Sequence, residues 1–254
     1  MDFFTNLNSS SSSSLPHFFT MFLTIYITAH LIVFRNWSPK IRPESASCLI
    51  SLAHGTPAVF LAAHAIYSNP NPKNFASLNT PSQNSVLEYS IAYFLMDLSH
   101  FLIYNPTDFL FIGHHLATLF VFATCRFFVL RGAYEVLILL VLAEVTSLFQ
   151  NVWTLAGARK GDSEIARKVF DKMCVPFYVL YSVVRGFFAP VFVYKMVGFY
   201  SSGVADSVVP RWLWVSWICV VVMAISVSIL WMINNWVVLY RERMIKTHTE
   251  KKIS

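Results

Sequence analysis

Six ionisable side chains fall inside long apolar stretches of this chain: Asp97 and His100 in one, His114 and His115 in the next, Glu144 in a third and Arg185 in a fourth. At the centre of a membrane helix a charged side chain costs about 2.5–3.5 kcal/mol on insertion scales, against about 0.3–0.6 recovered from each Leu, Ile, Val or Phe. A helix can carry such a residue if it turns it toward neighbouring helices. The spacing supports that orientation: Asp97 and His100 are i, i+3, His114 and Thr118 are i, i+4, and Glu144, Ser147 and Asn151 are i, i+3, i+7. Each helix then shows one polar stripe.

Intramembrane ionisable groups mark functional sites by default, and runs of Asp, Glu and His are the material of proton relays. The alternative is interhelical glue worth less than about 1 kcal/mol per hydrogen bond, with Arg185 paired to Glu144 or Asp97 for structure alone. His30, His54 and His64 are assigned to that alternative or to the interface. No metal site is expected, because the histidines and carboxylates lack a tight ligand spacing such as His-Glu-x-x-His.

The elements that must hold these residues follow from composition. The 254 residues are 56% hydrophobic and 13% charged, whereas soluble domains carry about 25% charged residues. That excludes an ordinary soluble enzyme and a disordered chain. Cys48, Cys125, Cys174 and Cys219 each lie in a separate apolar block, which argues against a disulfide scaffold. Seven blocks approach the roughly 20 residues that a bilayer core about 30 Å thick requires: 15–34, 46–67, 86–105, 108–130, 133–155, 173–196 and 210–240. Pro57 and Gly55 weaken the second, although membrane helices tolerate both. An all-α, polytopic membrane protein with seven transmembrane helices is predicted.

Orientation comes from sorting the 19 Lys and Arg residues by loop. With the N-terminus outside, thirteen fall on the cytosolic side: Arg35, Lys40 and Arg42, then Arg159, Lys160, Arg167, Lys168 and Lys172, then Arg241, Arg243, Lys246, Lys251 and Lys252. Lys73, Arg126, Arg131, Lys195 and Arg211 fall on the other side. The positive-inside rule therefore predicts a lumenal N-terminus and a cytosolic C-terminus. It also accounts for the net charge of +6 without nucleic acid. Trp212, Trp214 and Trp217 at one end of the last block, and Trp231, Trp236 and Tyr240 at the other, mark the two interfaces. No signal-peptide cleavage site follows the first block.

In this orientation the six groups lie about 8–18 Å from the cytosolic boundary, at 1.5 Å per residue. That range is compatible with one shared cavity, with Thr118, Ser147 and Asn151 on the same stripes. The serines from Ser9 to Ser14 read as a flexible polar tail with a sequon at Asn8. Lys251 and Lys252 match a dilysine retrieval signal, which implies the endoplasmic reticulum and a coat-type retrieval partner.

The run Gly113-His114-His115-Leu116-Ala117-Thr118, then Arg131-Gly132, then Leu142-Ala143-Glu144-Val145-Thr146-Ser147-Leu148-Phe149-Gln150-Asn151, resembles the TLC-domain family. Tyr93-Phe94-Leu95-Met96-Asp97 looks like that family's aromatic element upstream of the paired histidines. Ceramide synthases and translocation-associated membrane proteins are members. The resemblance covers roughly residues 40–245 and implies six helices around a central cavity, preceded here by one extra helix.

In ceramide synthases the paired histidines serve acyl transfer from acyl-CoA to a sphingoid amine, which maps onto His114 and His115. An imidazole can act as general base or as acyl-accepting nucleophile, with Glu144 or Asp97 orienting it. His100, Thr118, Ser147, Asn151 and Arg185 would line the cavity. No cofactor is implied, and acyl-CoA would be a co-substrate. Ceramide synthases carry a His-Asp pair where this chain has Ala143-Glu144, and a Ser-Tyr-x-x-Asn run where it has Ala123-Thr124-Cys125-Arg126-Phe127. The resemblance is therefore to the uncharacterised branch linked to membrane lipid composition.

The expected layout is a tail over 1–14, a first transmembrane helix over 15–34, a TLC domain over 40–245 and a basic cytosolic tail over 246–254. The expected role is membrane lipid metabolism or homeostasis, with lipid binding or proton/lipid transport as the non-enzymatic alternative.

Overall fold

The computed structural model describes residues 13–68 and 74–253, and in the last helix the side chains of residues 242 and 245–253 are not described. The sequon at Asn8 and most of the serine tail lie outside the described residues, as do the side chains of Lys251 and Lys252. Among the described residues the regular structure is helical, apart from one isolated antiparallel bridge between Leu78 and Arg131.

The helices are α1 (Leu15–Thr28), α2 (Arg42–Tyr67), α3 (Pro81–Tyr104), α4 (Phe109–Ala123), α5 (Ala133–Glu144), α6 (Ser147–Arg159), α7 (Glu164–Val183), α8 (Ala189–Ser201) and α9 (Arg211–Ile253). Short π-helical stretches extend or join them at Ala29–Val33, Thr124–Val129 and Val184–Phe188. Among the described residues they give seven segments long and apolar enough to cross a membrane: Leu15–Val33, Arg42–Tyr67, Pro81–Tyr104, Phe109–Val129, Ala133–Arg159, Glu164–Ser201 and Arg211–Arg241. The sixth is longer than its apolar block predicts, because polar residues from Glu164 onward continue the helix ahead of that block. The fifth is interrupted at Val145 and Thr146.

Local chemistry sets several boundaries. Thr80 accepts from the Gln83 amide at 3.2 Å while the Gln83 side chain accepts from the Thr80 amide at 2.9 Å, a reciprocal cap with Pro81 in the first turn. Asp108 and Ser163 cap α4 and α7 through the amides of Phe111 and Ala166, each at 3.3 Å. Between α4 and α5 the chain turns through Leu130 at φ 55° and Gly132 at φ 88°. Asn79 holds that turn: its side chain donates to the Cys125 carbonyl at 3.0 Å and accepts from the Ala133 amide at 2.9 Å.

The chain divides into two compact units, residues 1–138 and 139–254. In the first, α3 packs against α1, α2 and α4. It is the most enclosed span, with 72% of its apolar window buried against 22% for Phe109–Val129. In the second, α7 packs on α6 and α9, and α8 on α9. Phe177, Tyr178 and Tyr181 of α7 form its buried centre against Phe149, Trp153, Trp231 and Trp236.

Candidate functional site

The central position of α3 allows it to hold a carboxylate at membrane depth. Asp97 is 3% exposed and both its oxygens are engaged. Ser47 of α2 donates its hydroxyl to Oδ1 at 2.6 Å, and Nε2 of His115 from α4 lies 2.9 Å from Oδ2. On the far side of the ring, Nδ1 of His115 is 2.8 Å from the Phe111 carbonyl.

These contacts fix a proton inventory. A carbonyl only accepts, so Nδ1 of His115 carries a hydrogen. One further proton sits between Nε2 and Oδ2. Whether it belongs to the ring or to the carboxyl group, the pair is electrically neutral as a whole, which lowers the cost of burying it. Both nitrogens of His115 are therefore committed to protein partners.

Consecutive residues on a helix point about 100° apart, and the two histidines differ accordingly. His115 is buried and His114 is exposed on the α4 surface, with its ring edge against Phe94 and against the His115 ring, at centroid distances of 6.4 and 5.7 Å. Thr118, one turn further along, is half-buried.

His100, one turn from Asp97 on α3, is 1% exposed. Its Nδ1 lies 2.9 Å from the Tyr26 hydroxyl, contributed by α1, and its ring stacks on Tyr104 at 5.4 Å. Tyr26 in turn stacks on His30 at 6.1 Å. The first span thus reaches a residue of the polar stripe.

The other members lie in the second unit. Glu144 ends α5 at the interruption of the fifth span. Arg185 sits in the Val184–Phe188 π stretch, donates from Nη2 to the Ala143 carbonyl at 2.7 Å, and has its guanidinium 5.5 Å from the centroid of Tyr181. The break frees backbone acceptors, and the guanidinium satisfies one of them. Asn151 donates to the Ser147 carbonyl and hydroxyl at 2.9 and 3.0 Å, which fastens the start of α6. Within the first unit, then, Asp97 and His115 are brought together with Ser47, and His100 with Tyr26; within the second, Arg185 joins the end of α5 and Asn151 joins Ser147.

Sequence reasoning missed Ser47, Tyr26 and a further ion pair. Glu88 of α3 is 3% exposed and accepts from Arg126 Nε at 2.7 Å, while its other oxygen accepts from the Ser14 amide at 2.7 Å. By sequence alone Arg126 sorts with the basic residues on the non-cytosolic side. The available signal was Glu88 itself, a carboxylate two turns inside α3. His54 is fully buried and stacks on Tyr93 at 4.0 Å, with Nε2 3.1 Å from the Ser90 hydroxyl. Among the described residues, no group of three or more His, Cys, Asp or Glu is placed to hold a metal ion.

Comparison with known proteins agrees with the motif pattern. The family model for the TLC domain matches residues 44–237. A TLC domain-containing protein of Arabidopsis thaliana is 58% identical over 251 residues, covering 98% of both chains. No solved structure matches significantly.

Proposed function

The chain belongs to the TLC-domain family, and from that membership we propose that it acts on membrane lipids in the endoplasmic reticulum, transferring an acyl group from acyl-CoA through the paired histidines. One observation carries the proposal: a buried, proton-sharing Asp97–His115 pair lies directly beside an exposed His114. His114 is the acyl acceptor or general base, because it is the exposed member of the paired histidines. His115, anchored by Asp97, Ser47 and the Phe111 carbonyl, positions α4 and supplies a polarisable proton beside it. Within the first unit His100 and Thr118, and within the second Glu144, Ser147, Asn151 and Arg185, are proposed to contact lipid. The basic residues support a lumenal N-terminus and a cytosolic C-terminus, and Lys251 and Lys252 support retrieval by coat-type machinery.

The test is purified protein in liposomes given acyl-CoA with an amine or lysolipid acceptor. Product should form with the wild type and fall by roughly a hundredfold or more in His114→Ala. Absence of product with every acceptor, together with an unchanged lipid profile in cells lacking the protein, would remove the lipid role altogether. The neutral shared-proton pair also suits a carrier, so pH-gradient-dependent lipid or proton uptake without covalent product would favour transport.

A further inference from the structure

The sixth span, Glu164–Ser201, is 38 residues long, about 57 Å as a helix against a bilayer core about 30 Å thick. The excess includes its polar head, residues 164–172, which lies at the membrane surface. A span this long tilts, which brings its head down toward the headgroups. Arg159 pairs with Asp162 at 3.3 Å and Lys168 with Glu164 at 2.8 Å. Asp171 is the remaining carboxylate of the hairpin from residue 159 to 172, so five cations face three carboxylates there.

The head of α7 has two faces. Phe170 and Phe177, two turns apart, stack on Trp153 of α6 at 5.1 and 5.6 Å, and Lys160 lies over the Phe170 ring at 4.1 Å. At about 100° per residue, Ile165, Lys168 and Lys172 project from the opposite face. All of them are exposed, Ile165 by 76%. Pro176, Val179 and Val183 continue that face along the apolar part of the span and are exposed as well. Lys168 and Lys172 therefore sit at the polar edge of the face that meets lipid, with an aliphatic side chain beside them.

We propose that this face docks anionic phospholipid headgroups, with Lys168 and Lys172 on their phosphates and Ile165 packed among them. Basic residues close to an anionic membrane surface are attracted to it, and a helix that carries cations beside exposed aliphatic side chains is suited to the interface. A soluble phosphate would use the cations and leave Ile165 in water. The apolar neighbour, and the continuity of this face with the exposed stripe at Pro176, Val179 and Val183, favour lipid. The docking goes beyond acyl transfer and does not depend on it.

The test is backbone hydrogen exchange of the peptide spanning residues 160–172 in full-length protein, reconstituted into phosphatidylcholine liposomes with and without phosphatidylserine. Phosphatidylserine should slow exchange by roughly tenfold or more, given a factor of about five for each cation at the surface. The protection should vanish at about 1 M salt, where the screening length is about 3 Å. Lys168→Gln with Lys172→Gln should abolish it, and Ile165→Asn should weaken it with the charge unchanged; these side chains are exposed, so the variants retain the fold. Equal exchange in the two kinds of liposome overturns the proposal, and so does full protection in Ile165→Asn. Adenosine 3′,5′-bisphosphate giving the same protection in phosphatidylcholine alone would overturn it too, by making the cations a site for a soluble phosphate.

Discussion

Asp97 and His115 share one proton, so neither can be judged alone. Removing either partner leaves the other buried without its counterpart, a loss of about 3–5 kcal/mol for broken buried pairs. Asp97→Leu and His115→Leu should each lower the thermal midpoint in detergent sharply, whereas the double variant should recover much of the loss. Additive losses would mean that the two residues are not energetically coupled. The same cycle applies to Glu88 and Arg126, where Glu88→Gln leaves a guanidinium facing an amide. At this scale the sequence was legible where a residue type is expensive in lipid, and Asp97, His100, His114, His115, Glu144 and Arg185 stood out for that reason. Ser47 and Tyr26 did not, because serine and tyrosine are ordinary in membrane helices and only their partners give them meaning. Arg126 was masked by position: near a helix end a cation looks like an interfacial residue until Glu88 is seen beside it.

Elements were legible to within a few residues where apolar length defined them, as for Leu15–Val33 and Pro81–Tyr104. The interruption after Glu144 was not, since Ala143-Glu144-Val145-Thr146-Ser147 contains neither proline nor glycine. Its cause is tertiary: Arg185 takes the Ala143 carbonyl out of the backbone ladder. Arg185→Met should therefore let that carbonyl rejoin the ladder and slow backbone hydrogen exchange around residues 143–147, with little change elsewhere in α5. Equal exchange in the two proteins would mean the break persists without the guanidinium. The reciprocal cap at the head of α3 gives a smaller effect, with Thr80→Ala expected to cost about 0.5–2 kcal/mol in the same melting assay. Gly132→Ala should cost about 1–2 kcal/mol because its φ of 88° is strained for a side chain.

At the scale of the molecule, the positive-inside rule assigns thirteen of the 19 basic residues to one side of the seven spans, and that asymmetry makes topology the most exposed expectation. A protease site inserted between Arg159 and Glu164 should be cut in sealed microsomes without permeabilisation, and one inserted at residues 203–208 only after detergent. The opposite pattern would invert the orientation and, with it, the argument for Lys251 and Lys252 as a retrieval signal. Lys251→Ser with Lys252→Ser should then move a fluorescent fusion toward the cell surface. The division into two units had no sequence signature, because its boundary falls inside the continuous apolar run of α5.

The neutrality of the Asp97–His115 pair has an electrical consequence. An elementary charge moved across a membrane potential changes in energy by about 2.3 kcal/mol per 100 mV, but a unit of zero net charge experiences no such bias. Glu88 and Arg126 form a second unit of the same kind. Neither pair supplies a gating charge, so a voltage clamped across the vesicle should leave the resting state of the site unmoved.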